Sequence, residues 1–188
     1  MKVLGNQDFL LLKQSVSRKV IQHLSSIERA LHAKLEELSF NFPKDTFLQS
    51  GKISKGENYS GLPYFMLDYP RKFSKTDVFA FRTMLWWGNY YSCTLQISGE
   101  SLKNYEEKIL KNILDEQELY FCINSNPWEY HYNESNFLTL KDLDINTIKK
   151  HIDEHGFVKI SDKIALNRWK DYKAFSEHSL ARFLMLLS

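Results

Sequence analysis

The chain has 188 residues with 43% apolar, 26% charged and 14% aromatic side chains, and a formal net charge of +2. These values exclude a disordered tail and a membrane-embedded chain, and 188 residues bury roughly 70% of the extended surface without help from disulfides or metals. Seven glycines and four prolines also exclude collagenous or low-complexity classes and a fold built on several glycine-rich phosphate loops.

In chain order, Phe9-Leu10-Leu11-Leu12 is too short an apolar run for a signal segment, and no run approaches the ~18–20 residues of a membrane span. No leader or membrane partner is therefore expected. From Gln14 to Leu38 the apolar positions Val16, Val20, Leu24, Ile27, Leu31, Leu35 and Leu38 follow helical spacing, which predicts one long amphipathic helix closed by Pro43. Its stripe either packs on the domain's own sheet or forms the seam of a structural homo-oligomer.

A sheet region is expected over about 51–124. Gly51-Lys52-Ile53-Ser54-Lys55-Gly56 has the glycine spacing of a phosphate loop. Glu57 and Asn58, however, stand where Lys and Ser/Thr are required, so no nucleotide site is read there. What remains is a glycine-hinged segment carrying Lys52, Lys55, Glu57, Asn58 and Tyr59 beside the strand-like Leu62–Tyr69, which Pro70 is expected to break. Val78–Trp87 and Tyr90–Ser98, separated by Gly88-Asn89, predict a tight β-hairpin.

A two-residue turn at 88–89 pairs Trp86 with Tyr91 and Arg82 with Leu95. One face then holds Ala80, Arg82, Met84 and Trp86 and is assigned to the core under the helices. Arg82 must either pair, with Glu57, Asp68 or Asp77 as candidate carboxylates, or reach solvent at an edge, with anion recognition as its functional reading. The other face holds Phe79, Phe81, Trp87 and Tyr90 opposite Ser92, Thr94 and Gln96. That face needs a cover, a partner or a ligand.

Ser101 is the expected N-cap of a helix to about Leu114, and Leu119–Ile123 reads as a short buried strand. Asn124–Asn136 is a polar loop or second hairpin with a second aromatic cluster, Trp128 to Tyr132, in which His131 could pair with Glu129 or Glu134. C-terminal helices are expected over about 145–187, the first capped by Asp144 and stopped by Gly156, with Phe157–Ile160 as a short edge strand. The whole reads as a single α+β domain over 1–188, mostly antiparallel, with helices packed mainly on one face.

His151-Ile152-Asp153-Glu154-His155 matches the H-x-x-E-H spelling of some zinc peptidases. The alternative function it raises is a metal-dependent hydrolase using His151, Glu154 and His155. Gly156 ends the helix before further structure can place a third ligand, so no metal or cofactor is expected. No Ser–His–Asp or Cys–His set can be assembled from the sequence, and no G-x-S-x-G, G-x-G-x-x-G or C-x-x-C motif is present. Alternating charges argue against nucleic acid, and Cys93 and Cys122, inside apolar runs, suit a reducing cytoplasm. The favoured expectation is a non-enzymatic cytoplasmic domain that binds a small molecule or a partner, including a second copy as a homodimer. Its site would be the aromatic-rich 51–91 region: Lys52, Lys55, Glu57, Asn58, Tyr59, Phe79, Phe81, Arg82, Trp87 and Tyr90.

Overall fold

Helix α1, Gln7–Glu37, opens where the Asn6 carboxamide accepts the Phe9 amide at 3.0 Å. This computed structural model describes residues 5–188, so the first four positions of the expected 1–188 domain and of the leader reading lie outside the described residues. α1 starts seven residues before the predicted Gln14. Val20, Leu24, Ile27 and Leu31 are its buried stripe, so the apolar spacing serves this domain's own core rather than an oligomer seam. Phe9 to Leu12, in the first turns, are exposed.

Seven strands form one antiparallel sheet: β1 Lys52–Tyr59, β2 Leu62–Phe73, β3 Val78–Trp86, β4 Tyr90–Ser98, β5 Tyr120–Cys122, β6 Phe137–Thr139 and β7 Phe157–Ala165. Their spatial order is β1-β2-β3-β4-β7-β5-β6. Pro70 does not break β2. A register shift between Asp68 and Arg71 absorbs the proline, which lacks an amide for the ladder, and the strand continues to Phe73. β7 is not a short edge strand either. Its nine residues pair with β4, and Ile160 and Ser161 also pair with β5 on the other side.

Between β4 and β5 lies α2, Gly99–Asn112; α3, Ile145–His155, precedes β7, and α4, Tyr172–Met185, ends the chain. Ser101 is not the cap of α2. Ser98 holds that position without a side-chain bond, and the Asp77 carboxylate, from the β2–β3 connection, accepts the Ser101 amide at 2.9 Å. Burial is the largest influence on Asp77 and raises its pKa, but bonds from Lys72 (2.5 Å) and Ser101 together hold it below the usual carboxylate range. Gly99 is required here: its φ is +66°, and a Cβ would sit 2.0 Å from the Thr76 carbonyl oxygen. The α3 ends follow the sequence: Asp144 accepts the Asn146 and Thr147 amides, and Gly156, at φ +69°, closes the last turn.

The helices gather on one face of the sheet, as expected. There Val20, Leu24, Ile27 and Leu31 of α1 meet Phe65, Leu67, Phe79, Phe81, Leu95 and Ile97 of the sheet and Leu180 and Phe183 of α4 in one apolar core. Tyr172 of α4 stacks on Tyr91 at 4.1 Å, and the two tyrosines bracket Ser176, whose hydroxyl lies 2.6 Å from the Tyr91 oxygen. Among the described residues no helix is long and apolar enough to cross a membrane.

Candidate functional site

The β3–β4 register decides what the opposite face carries. Trp86 pairs with Tyr90 and Arg82 with Thr94, so the turn has three residues, Trp87-Gly88-Asn89, rather than two. That single step turns over the expected faces of β3, because side chains alternate with a period of two, while Tyr91, Cys93, Leu95 and Ile97 of β4 keep the core side expected for them. Phe79 and Phe81 lie fully buried under the helices, and Arg82, Met84 and Trp86 face the other way. Trp87 leaves the ladder with β4, but its amide still donates to the Pro63 carbonyl of β2 at 3.0 Å, which holds its ring on the helix side.

The face opposite the helices is covered too, and beside the apolar group of Met66, Met84, Trp86 and Tyr130 its centre is polar. Gln96 of β4 stands beside Lys159 of β7, and Thr94 beside Ser161. The loop from β5 to β6, residues 123–136, lies over them, held by side-chain bonds rather than by strand pairing. Lys159, completely buried, donates to the carbonyls of Pro127 (3.0 Å) and Glu129, with its ammonium 4.3 Å from the centre of the Tyr130 ring. Tyr59 of β1 accepts the amides of Tyr130 (2.6 Å) and His131 (3.0 Å) on its phenol oxygen and donates to the Glu129 carboxylate at 3.0 Å. Tyr90 donates to the Tyr130 carbonyl at 3.1 Å, and buried Asn136 donates to the carbonyls of Glu129 and His131.

At the centre, Arg82 grips Asp68 in the two-pronged geometry of a guanidinium on a carboxylate, 2.6 Å from Nε and 2.9 Å from Nη2. Asp68 is one of the three partners the sequence offered. The Arg82 Nη1 also donates to the Tyr130 phenol. Burial opposes the charge on Arg82, but Asp68 and Tyr130 outweigh it and hold the guanidinium protonated. Burial pushes the Tyr130 phenol up to about 12. Among the described residues Lys159 has no carboxylate in contact, and burial lowers its pKa to about 8.

At the hairpin end this cover is incomplete. An open cleft of about 360 Å³ lies between the β1–β2 turn, the β3–β4 turn and the loop, lined by Ser60, Trp86, Asn89, Tyr90, His131, Tyr132, Asn133 and Lys163. The rings meet edge to face: Trp86 on Tyr90 at 5.5 Å and Tyr90 on Tyr132 at 4.9 Å. The Lys163 ammonium sits 4.2 Å from the Tyr132 ring centre, 4.9 Å from Tyr120 and 5.6 Å from Tyr90. Burial lowers its pKa.

Comparison with family models, with curated proteins and with solved structures found no match to this chain.

Of the ten residues named for the expected 51–91 site, Tyr59, Arg82 and Tyr90 share the loop-covered face and Tyr90 lines the cleft, which His131 and Tyr132 of the second aromatic cluster line as well. Phe79 and Phe81 are fully buried in the helix-side core, with no exposed surface to offer. Trp87 lines a separate apolar hollow of about 220 Å³ with Val16, Val20, Leu85 and Trp169. Lys52, Lys55, Glu57 and Asn58 are exposed on the outer strand β1; Glu57 pairs with Lys13 of α1 at 2.5 Å, and Asn58 closes the β1–β2 turn by accepting the Gly61 amide. They do not converge with the aromatics.

His151 is buried against Phe121 and Phe157, its Nε2 without a partner, and burial lowers its pKa to about 4. His155 lies beside it, ring centres 4.8 Å apart, while Glu154 points to Lys150 at 3.7 Å. Among the described residues no three His, Cys, Asp or Glu side chains group to hold a metal. His131 has Glu129 as its carboxylate neighbour, at 3.9 Å.

The reading from sequence missed Trp86 as a cleft wall and missed Lys159 and Lys163 altogether. The signal for the lysines is present: Val158, Ile160 and Ile164 alternate with Lys159, Ser161 and Lys163, the pattern of a strand with one apolar face.

Proposed function

We propose that this domain binds a small, flat molecule in the cleft between the β3–β4 turn and the 123–136 loop. The supporting observation is the contrast between this corner and the rest of the same face. Elsewhere the loop's carbonyls, amides and phenols satisfy the sheet's polar groups. Here three aromatic rings and the side chains of Ser60, Asn133 and Lys163 border open space. Ring walls with a few polar groups at the rim are the usual composition of a small-molecule site. Two buried free thiols, Cys93 and Cys122, suit a reducing compartment such as the cytoplasm.

The test is a fragment screen by ligand-detected NMR, with bound fragments located on the indole N–H resonances of the four tryptophans. Hits that shift Trp86, and lose binding in Asn133→Trp while its melting temperature stays at the wild-type value, support the reading. Hits that shift only Trp87 and Trp169, which line the apolar hollow, would overturn it.

A second reading, self-association, is favoured by the first turns of α1, where Phe9, Leu10, Leu11 and Leu12 are 44–62% exposed in succession. Sedimentation of Leu11→Gln/Leu12→Gln against wild type decides it. A dimer lost in the variant supports it, and a wild-type monomer at all concentrations removes it.

A further inference from the structure

Resting on the cleft reading above, we infer that the ligand is an anion, a flat ring carrying a carboxylate or phosphate group, and that Lys163 is its counter-charge. The cleft lining holds one lysine and one histidine and no aspartate or glutamate. A cation usually satisfies itself on a nearby carboxylate. Among the described residues none lies within 4.0 Å of the Lys163 ammonium. Asp162, its neighbour in sequence, projects to the helix side and meets Arg182 at 3.6 Å. Glu129 is occupied by Tyr59 and lies outside the lining.

Lys163 instead rests on the faces of Tyr132, Tyr120 and Tyr90. Ring faces orient an ammonium and shield it from water, but they accept no strong hydrogen bond, so its N–H groups remain available to an acceptor. The Ser60 hydroxyl and the Asn89 and Asn133 carboxamides add neutral donors at the same rim. A partly desolvated cation with neutral donors around it favours an anion over a neutral isostere, since the ion pair is screened less than in bulk water. Trp86, Tyr90 and Tyr132 supply the walls for the flat part of the molecule.

Four probes of nearly one shape separate the charge from the shape: benzoate, phenyl phosphate, benzyl alcohol and benzylammonium, each titrated against the protein by NMR at low salt. Benzoate or phenyl phosphate should bind about tenfold more tightly than benzyl alcohol, and benzylammonium least. Whichever anion binds better identifies the head group. Lys163→Met should remove the anion's advantage over benzyl alcohol, and Lys163→Arg should retain most of it. Equal binding of benzyl alcohol and both anions at Trp86 overturns the charge assignment and leaves the cleft reading standing. An anion advantage that survives in folded Lys163→Met also overturns it. Binding of no probe at Trp86 overturns both.

Discussion

The two faces of this sheet are both buried, by opposite means. On the helix side α1, α2, α3 and α4 cover Phe79, Phe81, Leu95 and Ile160 with apolar side chains, and the contact is nondirectional. On the loop side one irregular segment covers Arg82, Gln96, Lys159 and Ser161 and holds them by donor–acceptor pairs, beside the smaller apolar groups of Met66, Met84 and Trp86 and of Cys122, Phe137 and Phe157. An apolar cover holds through area, so one lost side chain costs its own volume. A polar cover holds through matched pairs, so one lost partner leaves the other buried and unsatisfied. The loop side should therefore respond to charge and pH where the helix side responds to size.

The largest effect should come from the helix side. Phe81→Ala empties a fully buried site between the sheet and Phe183 of α4 and should lower unfolding free energy by about 3–5 kcal/mol, read from urea denaturation. Only added apolar volume at a neighbour should restore part of it, because the loss is volume. A cost below about 1 kcal/mol would mean the helix layer is not the closely packed core described above.

Asp68→Ala should cost about 3 kcal/mol on the loop side, comparable in size but different in cause, since Arg82 keeps its charge in a site with only the Tyr130 phenol as partner. The comparison predicts rescue here. Asp68→Leu combined with Arg82→Met removes both charges and should return to within about 1–2 kcal/mol of wild type. A double variant as unstable as the single would show that the pair is held by shape rather than by charge, and the contrast between the faces would fail.

How far the sequence exposes this contrast differs between the two faces. The helix side was legible: the spacing from Val20 to Leu31 fixes the buried stripe of α1, and Asp144 and Gly156 mark both ends of α3. The hairpin was legible as a hairpin but not in register. Trp87 can close the ladder or begin the turn, and both faces of β3 carry large apolar residues, so composition could not choose between them. The loop side was mostly hidden. Lys159 and Ser161 are polar residues buried by a segment about thirty positions earlier in the chain, and no local pattern records a cover that distant. The aromatic cluster at Trp128–Tyr132 was visible, but the surface it covers was not.

Lys159 makes the loop side sensitive to pH in a direction that can be worked out. Its pKa is about 8 when folded and 10.5 as a free side chain. Below pH 8 both states carry the proton, and the full cost of burying the charge is present. Between pH 8 and 10.5 the unfolded chain binds a proton that the folded chain does not, so stability rises with pH across that window. Cys93 and the buried tyrosines act in the opposite direction but are shared with Lys159→Met and cancel in the difference; Cys122, whose thiol Lys159 itself holds down, is taken out by making both proteins in a Cys122→Ala background. The stability of wild type relative to Lys159→Met should therefore be flat below pH 8 and climb above it, by at most about 3 kcal/mol. A difference that stays flat to pH 10 would show that Lys159 is hydrated and the loop open.

The smallest expected effect sharpens the comparison most, because it asks whether the loop is held separately from the helices. Tyr130→Phe keeps the ring against Lys159 and removes only the phenol that receives the Arg82 N–H and faces Gln96 at 3.5 Å. The cost should be about 1–2 kcal/mol, the range for a bond to a charged group. If the loop is an independent unit, that cost appears locally. Amide exchange at Tyr130 and His131, whose N–H groups bond to Tyr59, should quicken about tenfold or more while the buried stripe of α1 keeps its protection. Equal quickening in the loop and in α1 would mean that the two faces unfold together, and that their different chemistry does not divide the sheet into separate units. A local response would also explain why the cleft beside the β3–β4 turn lies at the loop's own margin: the loop can shift there without disturbing Phe81 and the core behind it.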